Sequence, residues 1–241
     1  MNYKEAYEKL EKYGQLHVLK YYDELSEIEK GTLLKQIEEL DFGILKYSKE
    51  NTTNQKGEIS PLAAMQLPEI EEHRKRYTEI GVEEIRKGKV AAVLLAGGMG
   101  TRLGSDHPKG MFDIGLTRPV YIFQRIIENM LDVVRQAGAW VHLFVMTSDK
   151  NHDMTVAFFE EKGYFGYSKD YIRFFIQDVV PASDYEGNVY MEEKWKIATS
   201  PNGNGGWFSS MNKCGLLNIV RVVGIEVINV FAVDNVLQRI A

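Results

Sequence analysis

Two cations seven positions apart, Arg102 and Lys109, follow an apolar run and three glycines in "VLLAGGMGTRLGSDHPKG" (93–110). Gly97, Gly98 and Gly100 carry no Cβ, so their backbone N–H groups can approach an anion closely. Arg102 and Lys109 repel one another unless an anion joins them, and phosphate suits both features. Three readings of the loop compete, beside that of a glycine-rich turn with no ligand. A Walker loop needs Lys-Ser/Thr directly after its last glycine, and Gly104 is followed here by Ser105-Asp106. A dinucleotide fingerprint needs G-x-G-x-x-G opening into a helix. Here the third glycine, Gly104, comes one place late, and Pro108 and Gly110 forbid a helix of useful length. The third reading is taken up below. Two further polar groups end apolar runs: Gln177 after "YIRFFI" and Asp234 after "VINVFAV". An amide can donate and accept, and a carboxylate can take a cation.

Strands must present these groups. "KVAAVLLA" from Lys89 is a continuous apolar run, as in a buried parallel strand. "AWVHLFVMTS" (139–148), "YIRFFIQ" (171–177) and "GIEVINVFAVDN" (224–235) give three more. Helical periodicity separates them, in "PVYIFQRIIENMLDVVRQAG" (119–138), with Pro at its start and Gly at its end, and in "NHDMTVAFFEEKGYFG" to about Lys162. Strands alternating with helices predict an α/β domain with a mostly parallel sheet. Such sheets bind ligands beyond the carboxyl ends of their strands. Each strand ends there in something small, polar or ionic: the glycine loop, Met146-Thr147-Ser148, Gln177-Asp178 and Asp234-Asn235.

The first third has another texture. Tyr3, Tyr7 and Leu10, then Leu33, Leu34, Ile37 and Leu40, recur at helical spacing. "GEISPLAAM" (57–65) reads as a connection, and a helix is expected over Pro68 to Lys87. The division is therefore a helical N-terminal region, 1–88, and an α/β region, 89–241.

With 241 residues, 44% of them hydrophobic and 26% charged, the chain can bury a large core. A net charge of −5 argues against a general grip on nucleic acid. One cysteine, Cys214, excludes an internal disulfide framework, and it reads as a small apolar residue in a helical stretch. The N-terminal "MNYKEAYEKLEKYG" carries no secretory apolar run, and nothing approaches a membrane span. The expected location is the cytoplasm, with no membrane partner. His107 and His142 lack metal-ligand spacing.

The segment "LAGGMGTRLGSDHPKG" resembles the L-x-G-G-x-G-T-R-L-G-x-x-x-P-K motif of nucleotidyltransferases that make nucleoside-diphosphate sugars. It is similar in particular to the UDP-N-acetylhexosamine pyrophosphorylases and their UDP-glucose relatives. "MTS" (146–148), "YFG" (164–166), "FFIQDVVPA" (174–182), "PNGNGG" (201–206) and "VDN" (233–235) match in the same order. The resemblance implies a Rossmann-like nucleotidyltransferase fold, a mostly parallel mixed sheet with flanking helices, preceded by a helical region. The implied reaction joins UTP to a sugar-1-phosphate, N-acetylglucosamine-1-phosphate favoured and glucose-1-phosphate the other choice, releasing pyrophosphate. The implied cofactor is Mg²⁺.

Residue by residue, the resemblance gives Ala96, Gly97, Gly98, Gly100 and Thr101 to the nucleotide and its phosphates. It gives Arg102 and Lys109 to the triphosphate and departing pyrophosphate, Gln177 and Gly203 to the uracil, and Asn204 to nucleotide and sugar. Asp234 becomes a metal ligand. Each has a plainer alternative: an ion-paired Arg102, a solvated Lys109, a loop-bound Gln177, or Asp234 capping a helix at "NVLQRI". Asn202 stands where the family usually has Asp, which bears on loop geometry. Family members continue well beyond the equivalent of Ala241, so weak or absent turnover is expected of this chain. The alternative function is a catalytically inactive nucleotide-binding module of the same fold.

Overall fold

The computed structural model describes residues 1–46 and 60–240. Charged residues spaced around small apolar stripes give α1 (Tyr3–Lys12) and α2 (Glu27–Glu39). Both start on capping boxes, Asn2 with Glu5 and Ser26 with Glu29, each satisfying two otherwise orphaned N–H groups. In α1 the buried stripe is Ala6 and Leu10, while Tyr3 and Tyr7 are exposed. In α2 it is Leu33 and Ile37, with Leu40 buried just beyond. Of the connection expected at 57–65, residues 57–59 lie outside the described residues, and 60–65 form no regular element.

Next come α3 (Leu67–Arg86), β1 (Val90–Leu95), α4 (Ile122–Ala137), β2 (His142–Thr147), α5 (His152–Glu161) and β3 (Ile172–Ile176). Pro68 sits in the first turn of α3, where its missing N–H costs nothing. Pro119 lies outside α4, whose cap is Tyr121, while Gly138 ends that helix in the left-handed conformation. The short strands β4 (Val179–Pro181), β5 (Met191–Glu193), β6 (Lys196–Ile197) and β7 (Thr199–Pro201) follow. The last elements are α6 (Trp207–Lys213), α7 (Leu216–Val223) and β8 (Val227–Ala232).

Two compact units result. Met1–Leu62 and Val179–Asn202 form one, Ala63–Asp178 and Gly203–Ala241 the other. Lys89, where the sequence texture changes, sits inside the second unit between α3 and β1. In the first unit β4 pairs with β7 and β5 with β6, both antiparallel. Its core joins Leu10, Leu33, Ile37 and Phe42 to Val189 and Ile197. Gln15, fully buried, fixes the join, because its amide donates to Gly187 O at 2.9 Å and accepts from Val189 N at 3.0 Å.

The second unit carries the sheet, in the order β3-β2-β1-β8, all neighbours parallel. Alternate residues face opposite sides of a strand. Ala92, Leu94, Leu143 and Val145 therefore join Phe123, Ile126, Ile127 and Met130 of α4 and Phe159 of α5 in one core. Ala91, Val93, Phe144 and Met146 meet Met211, Leu217 and Ile225 in another. Helices thus cover both faces, which is why these strands read as unbroken apolar runs.

His142 starts β2, at the end opposite Thr147, between Phe144 and Tyr171. Burial, and then the Arg173 cation, hold its pKa below the ordinary histidine value. Its Nδ1 is buried without a partner, so protonation would place an N–H against nothing. The unfolded chain binds this proton more readily than the folded one, so stability is lost as pH falls below the histidine range. Melting at pH 7.5 and 5.5 should show a smaller gap for His142→Gln than for the natural chain, and an equal gap would refute the assignment.

Candidate active site

Pairing of the first two strands runs one residue beyond β1, where Ala96 N–H donates to Met146 O at 2.8 Å. The glycine loop then folds on itself. Gly100 N–H donates to His107 O at 2.8 Å, and Lys109 N–H to Gly98 O at 3.1 Å. Pro108 and Gly110 permit only a single 3-10 turn, Lys109–Met111. Among the described residues, the N–H groups of Gly97, Gly98 and Thr101 have no acceptor. A row of free donors at the carboxyl end of a parallel strand suits an anion.

Gln177 lies over this loop. A Cβ added to Gly97 would stand 2.7 Å from Gln177 Nε2, so only glycine leaves the amide its place. Gln177 is buried, its backbone N–H donates to Thr147 O at 2.8 Å, and its side-chain amide bonds no described residue. An amide with open donors and acceptors can meet a polar edge in both senses.

Lys109 is held by what stands beside it. Gly110 rests against Phe123 of α4, and a Cβ there would come within 2.2 Å of the ring. Asp234 stands two residues past the end of β8, and Val233 N–H between them donates to Leu95 O at 3.1 Å. The Lys109 ammonium bonds Asp234 Oδ1 across 125 residues of sequence. Lys109 is therefore paired and partly buried, unlike a solvated lysine. Residues 235–240 form turns without a helix, so Asp234 caps none.

The donor set can be tested against a cation. No group of three or more His, Cys, Asp or Glu is placed to hold a metal among the described residues. Asp234 is an exposed single carboxylate whose only described partner is Lys109. One carboxylate with phosphates and water completing the shell is the usual environment of Mg²⁺. The residues fit that ion.

Arg102 lies exposed in the turn Thr101–Leu103 and makes no ion pair with a described residue. Gly203 has φ +76°, a conformation glycine adopts without strain, and Asn204 follows in the short turn Asn204–Gly206. Neither Gly203 nor Asn204 bonds Gln177, but Ser210 links their loop to it. Ser210 Oγ, buried, donates to Gly206 O at 2.9 Å and accepts from Asp178 N at 2.8 Å. Cys214, expected as an apolar residue, is exposed where α6 ends.

Sequence reasoning passes over Asn151, which is fully buried at the start of α5. Its Nδ2 donates to Ala96 O at 2.9 Å and Gly98 O at 3.3 Å, and its Oδ1 accepts from Ser148 N at 2.8 Å. The available signal was an Asn between a strand end and a helix start, which ordinarily means a cap. Here the side chain braces the loop instead.

Asn151→Ala should leave buried carbonyls unsatisfied, at about 1–3 kcal/mol. Urea unfolding checks the loss, and an unchanged midpoint would show that water replaces the amide. Gly110→Ala should cost a similar amount, roughly 1–3 kcal/mol from overpacking against Phe123, read by the same titration.

A sequence-family model described as UTP–glucose-1-phosphate uridylyltransferase matches residues 41–241. UDP-N-acetylglucosamine diphosphorylase 2 of Arabidopsis thaliana is 34% identical over 97% of this chain and 50% of its own length. UDP-N-acetylglucosamine pyrophosphorylase of Saccharomyces cerevisiae is 35% identical over 95% and 52%. The solved uridine diphosphate N-acetylglucosamine pyrophosphorylase of Trypanosoma brucei superposes with a TM-score of 0.77 at 30% identity, over 96% of this chain and 51% of that one. The chain spans about half the length of the curated relatives it matches. A family match over more than four-fifths of its residues, joined to the glycine loop and the sheet that carries it, means that the chain belongs to the UTP–glucose-1-phosphate uridylyltransferase family.

Proposed function

We propose that this chain carries the nucleotide site of a uridylyltransferase that joins UTP to a sugar-1-phosphate, N-acetylglucosamine-1-phosphate by preference, releasing pyrophosphate. The observation that carries the reading is the meeting of Lys109 with Asp234 beside a glycine loop in which the Gly97, Gly98 and Thr101 N–H groups have no acceptor among the described residues. The names of the Arabidopsis and yeast relatives support the choice of sugar.

In this reaction an oxygen of the sugar phosphate attacks the α-phosphorus of UTP. The bond from that phosphorus to the bridging oxygen breaks, and its electron pair leaves with pyrophosphate. No protein nucleophile is needed, so catalysis is positioning and electrostatic stabilisation. The free N–H groups of Gly97, Gly98 and Thr101, with Ala96 and Gly100 shaping the loop, hold phosphate oxygens. Lys109 and Arg102 stabilise charge on the departing pyrophosphate. Gln177 and Gly203 recognise the uracil, and Asn204 holds nucleotide and sugar. Asp234 would hold Mg²⁺, which when bound neutralises charge on phosphate oxygens. The reading places the protein in the cytoplasm, where a single free cysteine such as Cys214 is ordinary.

Thermal melting with Mg²⁺ and UTP, beside ATP, NAD and UDP-N-acetylglucosamine, tests the reading. A ligand of the folded state raises the midpoint by an amount that grows with the logarithm of its concentration over Kd. The expected result is a uridine-selective rise that Lys109→Ala abolishes. Equal shifts with ATP, or none with any uridine nucleotide, would overturn it. A selective rise without pyrophosphorylase turnover would identify a binding module.

A further inference from the structure

Asp234 stands in a segment held at both ends. Upstream, Val233 N–H donates to Leu95 O at 3.1 Å and ties the segment to β1. Downstream, Asn129 of α4 reaches across, its Nδ2 donating to Val236 O at 2.9 Å and Gln238 O at 3.1 Å. Asn129 is 1% exposed, on a helix face otherwise filled by Ile126, Met130 and Val133. Its Oδ1 has no partner. A buried amide that leaves one acceptor unsatisfied costs stability relative to an apolar residue of the same size. Its contribution is the hold on residues 236 and 238. The turn between the two ties closes through Asn235 N–H to Ala232 O and Gln238 N–H to Asn235 O, both 3.2 Å.

The same helix positions the opposite member of the pair. Phe123, on α4, lies against Gly110 next to Lys109, and Ile122 N–H donates to Phe112 O at 3.1 Å. One rigid element therefore sets both the cation and the carboxylate.

We propose that Asn129 is a positioning residue for Asp234: through Val236 and Gln238 it fixes the carboxylate beside Lys109, where it would take the cation of a metal–nucleotide. This rests on the nucleotide reading of the site. Partners that orient a metal-binding side chain are worth roughly 10–100-fold in metal affinity.

The test is a titration of UTP with and without Mg²⁺ on the full chain, for the natural protein, Asn129→Leu, Asp234→Asn and the double variant. Asn129→Leu keeps the branched shape and the number of heavy atoms and removes the donor. It should raise the Mg²⁺ concentration for half-maximal UTP binding roughly 10-fold, and leave metal-free UTP affinity within about twofold. Added to Asp234→Asn it should cost nothing further, because positioning a carboxylate that is gone has no value. Equal losses with and without Mg²⁺, additive losses, or an unchanged Mg²⁺ requirement would each overturn the proposal. If Asn129→Leu does not fold, Asn129→Asp, identical in shape, is read by the same criteria. Amide hydrogen exchange at Asn235 and Gln238 gives an independent reading: faster exchange in the folded variant supports the clamp, and unchanged exchange refutes it. A natural chain that binds no uridine nucleotide while exchange still responds would sink the reading of the site, and Asp234's metal role with it, rather than the clamp.

Discussion

A cation and a carboxylate drawn from opposite ends of a folding unit have to meet at one edge of a parallel sheet, and the arrangement of the second unit follows from that meeting. The sheet brings β1 and β8 side by side, so the chain leaving each emerges at the same edge. Left alone, a lysine would repel the other cation of its loop and an aspartate would stay in water. Together they neutralise one another. Both charges are thereby held at the carboxyl end of the sheet, beside the glycine loop.

Around that pair the loops are governed by close approach. Gly97 admits the Gln177 amide and Gly110 admits the Phe123 ring, and in each case a single methyl group would fill the space. Short buried polar side chains supply the remaining stiffness. Asn151 braces the glycine loop, Ser210 ties the end of β3 to the loop before α6, and Asn129 holds the turn after β8. All three act on backbone groups, which leaves the loops' own side chains unconstrained by these ties.

The strands and the glycine loop were legible because their signals are local. An unbroken apolar run such as "VAAVLL" has few alternatives to a buried strand, and "GGMGTRLGSDHPKG" is long enough to point to one chemistry. The partnership of Lys109 with Asp234 was legible only as two strand ends, since nothing in the sequence states which strands are neighbours. Asn151, Ser210 and Asn129 were illegible for a different reason: a small polar residue in a helix or at its start has many ordinary uses, and only tertiary contacts select one. The return of Val179–Asn202 to the N-terminal helices was hidden likewise, since Gln15 and Val189 are joined across 174 residues by a single buried amide. Cys214 misled because a helical stretch does not say which of its faces is wet.

The order of strands also has a consequence for synthesis. β1 is made before the other strands of its sheet and sits inside it, yet its neighbour β8 follows both β2 and β3 in the sequence. A nascent chain therefore carries an apolar strand with one unpaired edge until β8 has left the ribosome. Open edges of this kind pair readily with other chains, and long-range parallel pairing forms slowly. For this molecule the carboxylate of the candidate site and the strand that pairs with β1 arrive in the same step, because Asp234 lies two residues past the end of β8.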